Sequence, residues 1–135
     1  MKKVLLVNTN TEQSPYPVPP LGLCLIAGIL EKNYDVRIYD GAFDAGKGLP
    51  DMIAEFGPDY IGVSIRNIDD MDLLDPTNYI DPIREKFIKP IRNAANVPLI
   101  LGGSAFSIFP EYFMDYYNAD YGIFGEAETA FPLLL

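Results

Sequence analysis

Five short runs of solid apolar character recur along this 135-residue chain, at residues 4–8, 36–40, 60–65, 97–101 and 121–124. None alternates apolar with polar, so each reads as a strand covered on both faces. The segments between them carry helical spacing instead. After Pro20, the residues Leu23, Ile26, Ala27 and Leu30 fall on one helical face, with Pro20 suited to the first turn. Asn33 is expected to end that helix in the left-handed conformation. Residues 49–56 form a short helix closed by Gly57 and Pro58. Ile80, Ile83, Phe87 and Ile91 outline a third helical face. Asp81-Pro82 is expected as its cap and first turn, and Pro90 should kink or split it. Residues 110–117 give a fourth helix ending near Asn118, and residues 126–135 open a fifth.

Strands alternating with helices imply a parallel sheet with right-handed crossovers. The expected fold class is therefore α/β: a five-stranded parallel sheet in the flavodoxin-like order 2-1-3-4-5, with helices on both faces. No repeat or low-complexity segment interrupts the pattern, and the length suits one domain. The chain stops inside its last helix on Leu133-Leu134-Leu135, as an N-terminal module excised from a longer protein would.

Charge and composition exclude several functions. Ten Lys and Arg against nineteen Asp and Glu give a net charge of −9, the wrong sign for nucleic acid or an anionic membrane surface. The longest apolar run, residues 21–30, falls short of the ~20 residues a membrane span needs. Lys2-Lys3 leads straight into a strand with no small-residue cleavage site, so no signal peptide is expected. A single cysteine forbids an internal disulfide, and a reducing cytoplasm is the expected location. No histidine is present, which removes Ser-His-Asp and Cys-His catalysis and every imidazole ligand to a metal. Cys24 is expected to be a buried structural thiol. Asp69, Asp70, Asp72 and Asp75 lack the glycine and distal glutamate of an EF-hand and read as a solvated acidic loop.

In this architecture ligands bind outside the carboxyl ends of the strands, where strand order reverses. The segments expected there are long or glycine-bearing: residues 9–19, residues 66–79, Gly102-Gly103-Ser104 and Gly125-Glu126. Long loops in a compact domain are usually functional. The glycine pair serves either close approach of a ligand to the backbone or a plain tight turn. Ser64, near a strand end, needs a partner for its hydroxyl, either a ligand or a nearby carbonyl. Phe106, read as lying outside the fourth helix, is expected to line a ligand pocket. Glu126 and Glu128 flank a helix start, where the dipole favours carboxylates.

Five pieces fall in order along this sheet edge. They are Pro19-Pro20-Leu21-Gly22-Leu23, Gly62-Val63-Ser64-Ile65-Arg66-Asn67, Leu101-Gly102-Gly103, Phe106-Ser107 with Pro110, and Gly125-Glu126-Ala127-Glu128. Together they resemble the N-terminal cobalamin-binding domain of B12-dependent radical SAM enzymes, the group of cobalamin-dependent methyltransferases and magnesium-protoporphyrin ester cyclases. The resemblance covers essentially the whole chain, residues 1–135. It implies that cobalamin is held by Asn8, Thr9, Asn10, Pro19, Leu21, Gly22, Ser64, Arg66, Asn67, Gly102, Gly103, Phe106, Ser107, Gly125 and Glu126. It also implies that the cofactor is presented to a C-terminal radical SAM domain of the same polypeptide, which would carry the 4Fe-4S cluster and S-adenosylmethionine. No catalytic residue and no metal ligand is expected in this chain, and no nucleic-acid or membrane partner.

Two departures shape that expectation. Corrinoid domains like that of methionine synthase carry Asp-x-His-x-x-Gly after strand 1, with the histidine on cobalt. Here residues 8–14 hold no histidine, so the lower cobalt face would meet Asn, Thr, water or nothing. The Cys-x-x-x-Cys-x-x-Cys cluster motif is also absent. The alternative is a flavodoxin-like FMN-binding electron-transfer domain using the hydroxyls of Thr9, Thr11 and Ser14. Against it stand Pro15, Pro17, Pro19 and Pro20 and the absence of glycine in that loop. A receiver domain lacks its acids after strand 1, and no G-x-G-x-x-G marks a dinucleotide fold.

Overall fold

The computed structural model describes residues 1–69 and 72–135. Its strands are β1 (Lys3–Asn8), β2 (Asp35–Asp40), β3 (Tyr60–Ser64), β4 (Leu99–Gly102) and β5 (Tyr121–Gly122). They form one sheet in the order β2-β1-β3-β4-β5, every pair parallel. This is the expected order. Its helices are α1 (Leu21–Leu30), α2 (Leu49–Phe56), α3 (Ile80–Ile83), α4 (Lys89–Ala94), α5 (Ser104–Ile108), α6 (Pro110–Tyr116) and α7 (Ala127–Leu134). A π-helical turn, Arg84–Ile88, joins α3 to α4.

Alternate residues of each buried strand point to opposite layers. Leu5, Val7, Ile61, Val63, Leu99 and Leu101 pack one face against Ile53, Phe87, Ile91 and Phe113. Val4, Leu6 and Ile100 face the other way, towards Leu23, Ala27 and Leu30 of α1 and Phe131 of α7. The solid apolar runs of β1, β3 and β4 are thus explained by two cores, one on each side of the sheet, whereas the edge strands β2 and β5 are not covered on both faces: in β2 only Tyr39 is buried, and both residues of β5 are exposed. Among the described residues no helix is long and apolar enough to cross a membrane.

Some local expectations need correcting. Asn33 is not left-handed. The amides of Asn33 and Tyr34 both bond to the Leu30 carbonyl at 2.9 Å, so right-handed turns close α1 without such a residue. Asn118, by contrast, does adopt φ 49° just after α6. The third helix starts a residue before Asp81, and Asn78 Oδ1 accepts from the Ile80 amide at 2.8 Å. Asp81 instead accepts the Tyr116 hydroxyl. Pro90 splits the helix as anticipated. It offers no N–H to the Lys86 carbonyl, and the π-helical turn falls at that point. Gly46 fits beneath the carbonyl, since a Cβ there would lie 2.4 Å from the Lys86 oxygen. Cys24 is exposed rather than buried. The buried arc of α1 is Leu23, Ala27 and Leu30, and Cys24 sits about 100° around from Leu23. Of the acidic loop, Asp70 lies outside the described residues; Asp72 Oδ1 caps the amides of Leu74 and Asp75.

Candidate functional site: a cleft between the first and last helices

Parallel register sets the geometry of the site. Asn8, Ser64 and Gly102 stand side by side across β1, β3 and β4 at their carboxyl ends. Two residues deeper in each strand, on the same face, lie Leu6, Gly62 and Ile100. The helices α1 and α7 cover this face, and between them opens a cleft of about 650 Å³. Its floor is the deeper, apolar row. Leu23 and Ile26 of α1, Ile123 after β5 and Phe131 of α7 make its walls. Gly62 is required by this packing: a Cβ there would meet Phe131 Cζ at 2.9 Å and Leu6 Cδ2 at 3.0 Å.

The rim is polar and well braced. Asn8, Thr9 and Asn10 are buried despite their polarity, so each must find partners. Asn8 Nδ2 donates to Asp40 Oδ1 at 2.8 Å, and Asn8 Oδ1 accepts from the Asn10 amide at 3.3 Å. Asn10 Oδ1 accepts from Asn67 Nδ2 at 3.2 Å and from the Glu12 amide at 3.1 Å. Thr9 Oγ1 donates to the Ser64 carbonyl at 2.7 Å, and the Tyr79 hydroxyl donates to Glu12 Oε2 at 2.8 Å. These bonds tie the loop after β1 to the loop after β3. On the far side, Ser107 Oγ donates to the Gly103 carbonyl at 3.2 Å and accepts from the Gly125 amide at 2.9 Å, joining the turns after β4 and β5.

Three groups on the rim remain available to a ligand. The Ser64 hydroxyl bonds to no described residue, although its carbonyl is engaged. Arg66 is the one cation among the cleft-lining residues and forms no ion pair among the described residues. Gly102 is open: a Cβ there would touch only the Ile123 carbonyl, at 3.9 Å. Its neighbour differs. Gly103 has φ +105°, and a Cβ on it would lie 2.5 Å from the Ile65 carbonyl oxygen. The two readings of the glycine pair therefore apply to one residue each.

Of the residues expected at a ligand site, all but Thr9, Asn67 and Phe106 line the cleft. Thr9 and Asn67 lie behind the rim and hold it. Phe106 is misplaced by the sequence reading. The helix α5 begins at Ser104, so Phe106 is helical and points to the opposite core, 1% exposed and 6.4 Å from the Phe113 ring centroid. Sequence reasoning missed the floor and walls, Leu6, Gly62, Ile100, Ile123 and Phe131. The signal for the first three was parity, since each lies two residues before a rim residue on a parallel strand.

Titrations that depart from ordinary values lie away from the cleft. Burial, then the bond to Asp44, raises the Tyr39 hydroxyl, and burial first raises that of Tyr117. Burial pushes Asp120 upward, but the Leu99 amide and Arg92 outweigh it and hold its carboxyl below the usual carboxylate range. No group of three or more His, Cys, Asp or Glu among the described residues is placed to hold a metal ion. The site is built to hold a large ligand, apolar at depth and polar at the rim. Cobalamin, with its flat corrin and apolar benzimidazole tail, fits that profile: the apolar slot, open Gly102 and the uncommitted Ser64 hydroxyl suit the tail.

Fold and cleft together define a doubly wound α/β ligand-binding domain of the kind that receives a bulky cofactor at its switch point. The B12 binding domain profile matches residues 7–135, and the chain belongs to that family. It is 29% identical over 129 residues to a tryptophan 2-C-methyltransferase from Streptomyces laurentii, covering 93% of this chain and 21% of that enzyme. It is 30% identical to the radical S-adenosylmethionine methyltransferase TsrM from Kitasatospora setae, whose structure with cobalamin and a [4Fe-4S] cluster superposes with a TM-score of 0.90, covering 99% of this chain and 24% of TsrM. The cobalamin-dependent S-adenosylmethionine radical enzyme OxsB, with aqua-cobalamin bound, shares the fold at 19% identity and a TM-score of 0.73, covering 99% of this chain and 18% of OxsB. The chain thus spans about a quarter or less of the length of these relatives.

Proposed function

We propose that this chain is the cobalamin-holding module of a longer radical SAM protein and presents the cofactor to a radical SAM domain of the same polypeptide. The observation that carries the reading is the cleft between α1 and α7, with its apolar floor, braced polar rim and open Gly102. The similarity to TsrM, whose structure holds cobalamin and a [4Fe-4S] cluster, supports it. A corrinoid bound there supplies a cobalt centre able to carry a methyl group.

The chain's own residues bind and orient. Leu6, Gly62, Ile100 and Phe131 would bury the apolar tail, and Ser64 would offer it a hydrogen bond. Asn8, Asn10, Pro19, Leu21 and Gly22 would support the corrin edge, with Arg66, Ser107, Gly125 and Glu126 bordering it. Thr9 and Asn67 would act one layer behind, by holding the two loops in register. The chain has no histidine, so it would give cobalt no imidazole. Of the three hydroxyls considered for a flavin phosphate, that of Thr9 is already committed to the Ser64 carbonyl.

Titration with hydroxocobalamin tests the proposal. A shift in the visible spectrum and co-elution of the corrinoid on gel filtration are expected. No spectral change together with no retention would overturn it.

A further inference from the structure

The composition of the cleft at depth has a consequence for which corrinoids it accepts. This rests on the cobalamin reading above. We infer that the site selects among cobamides by the polarity of the lower base, accepting apolar bases and discriminating against purines.

Hydrogen-bond partners are scarce at the depth of the cleft. The floor residues Leu6, Gly62 and Ile100 have their backbone groups in the parallel ladders of β1, β3 and β4, and they carry no polar side-chain atom. The walls supplied by Ile26, Ile123 and Phe131 carry none either. One acceptor lies beside the slot, the Ile123 carbonyl near Gly102. Of the cleft's uncommitted donors, the Ser64 hydroxyl stands directly above the floor at the end of β3, while the Arg66 side chain lies two residues further out, on the loop beyond the strand. A dimethylbenzimidazole brings one free ring nitrogen, which that hydroxyl can satisfy. A phenolic base brings no ring nitrogen. An adenine brings the same ring nitrogen, two more, and an exocyclic amine. The Ile123 carbonyl would take one amine hydrogen, but the two further ring nitrogens would find no donor at depth. Leaving a buried polar atom unpaired is penalised more heavily than a made bond is rewarded.

Binding, rather than turnover, tests this. Dissociation constants are measured for cobalamin, a phenolyl cobamide, an adeninyl cobamide and cobinamide, which has no base. The phenolyl compound should bind within about threefold of cobalamin, and the adeninyl compound about tenfold more weakly or worse. Cobinamide should lose about tenfold or more, for roughly 100 Å² of apolar base left out of the slot. Gly102→Val provides the second arm. The open space at Gly102 lets the variant fold with the wild-type melting temperature, while its side chain narrows the slot. Cobalamin affinity should then fall to that of cobinamide, with cobinamide itself unchanged. Equal binding of adeninyl cobamide and cobalamin would refute the selectivity. Equal binding of cobinamide and cobalamin would show that the cleft does not take the base, and would leave cobalamin binding itself standing. Failure of every corrinoid to bind would bring down the proposed function, and this inference with it.

Discussion

Replacing Gly103 by alanine should damage the fold far more than the same change one residue earlier. Gly103 has φ +105° and ψ 170°, a region essentially restricted to glycine. Holding an alanine there costs about 1–3 kcal/mol in backbone strain alone. Its Cβ would also sit 2.5 Å from the Ile65 oxygen and 2.8 Å from the Ile65 nitrogen. Both are backbone atoms that cannot rotate away. Relief requires moving the chain where Ile65 N donates to Gly102 O at 2.8 Å and Ala105 N donates to Ile65 O at 3.0 Å. Overpacking of this kind adds about 1–3 kcal/mol. The sum is about 2–6 kcal/mol. For a chain of this size each kcal/mol lowers the melting temperature by about 3–4 °C, so Gly103→Ala should lose about 6–24 °C. Gly102→Ala meets nothing closer than 3.9 Å and should melt within about 4 °C of wild type, since exchanging glycine for alanine in a strand gains at most about 1 kcal/mol. Thermal unfolding followed by circular dichroism reads both. A Gly103→Ala variant melting with the wild type would refute the assignment of that residue to the turn.

Three further outcomes are expected. Thr9→Val keeps the shape of a side chain 2% exposed but deletes its 2.7 Å bond to the Ser64 carbonyl; urea denaturation should show a loss of about 1 kcal/mol, and an unchanged midpoint would show that this bond does not brace the rim. Asp120 has a folded-state pKa below the ordinary 3.8, so its contribution is present above that value and is lost as pH falls through the folded pKa. Asp120→Asn should therefore destabilise at pH 7 and converge on the wild type in acid, whereas a gap that widens on acidification would contradict the bonds to Leu99 and Arg92. Cys24, exposed on α1, should react with a thiol reagent in native buffer, and reaction only in denaturant would place it in the core.

The sheet was legible because its signal is local. Solid apolar runs at residues 4–8 and 60–65 need only their own composition to announce strands buried on both faces. With helices between them, right-handed crossovers leave few possible orders. The rim was legible for a related reason: residues such as Ser64 and Gly102 end strands, and strand ends meet at one edge in a parallel sheet. Failures occurred where orientation around a helix mattered. Spacing sets Phe106 outside the fourth helix but gives no sign of α5, which starts two residues before it, and it reads Cys24 as core although the inward arc of α1 is only Leu23, Ala27 and Leu30.

Periodicity and chain order, then, already contained the α/β class, the 2-1-3-4-5 sheet and the edge at which the cleft opens. Folding in three dimensions settled the division of labour between Gly102 and Gly103, the outward turn of Cys24 and the depth of the cleft. The reason is distance along the chain. The pattern of a strand or helix depends on neighbours a few residues away. The cleft depends on how far α1 stands from α7 over Leu6, Gly62 and Ile100, with Phe131 seated on a glycine nearly seventy residues earlier in the chain (131 − 62 = 69). That spacing comes from side-chain volumes meeting across the sheet, and becomes visible only once the layers are packed.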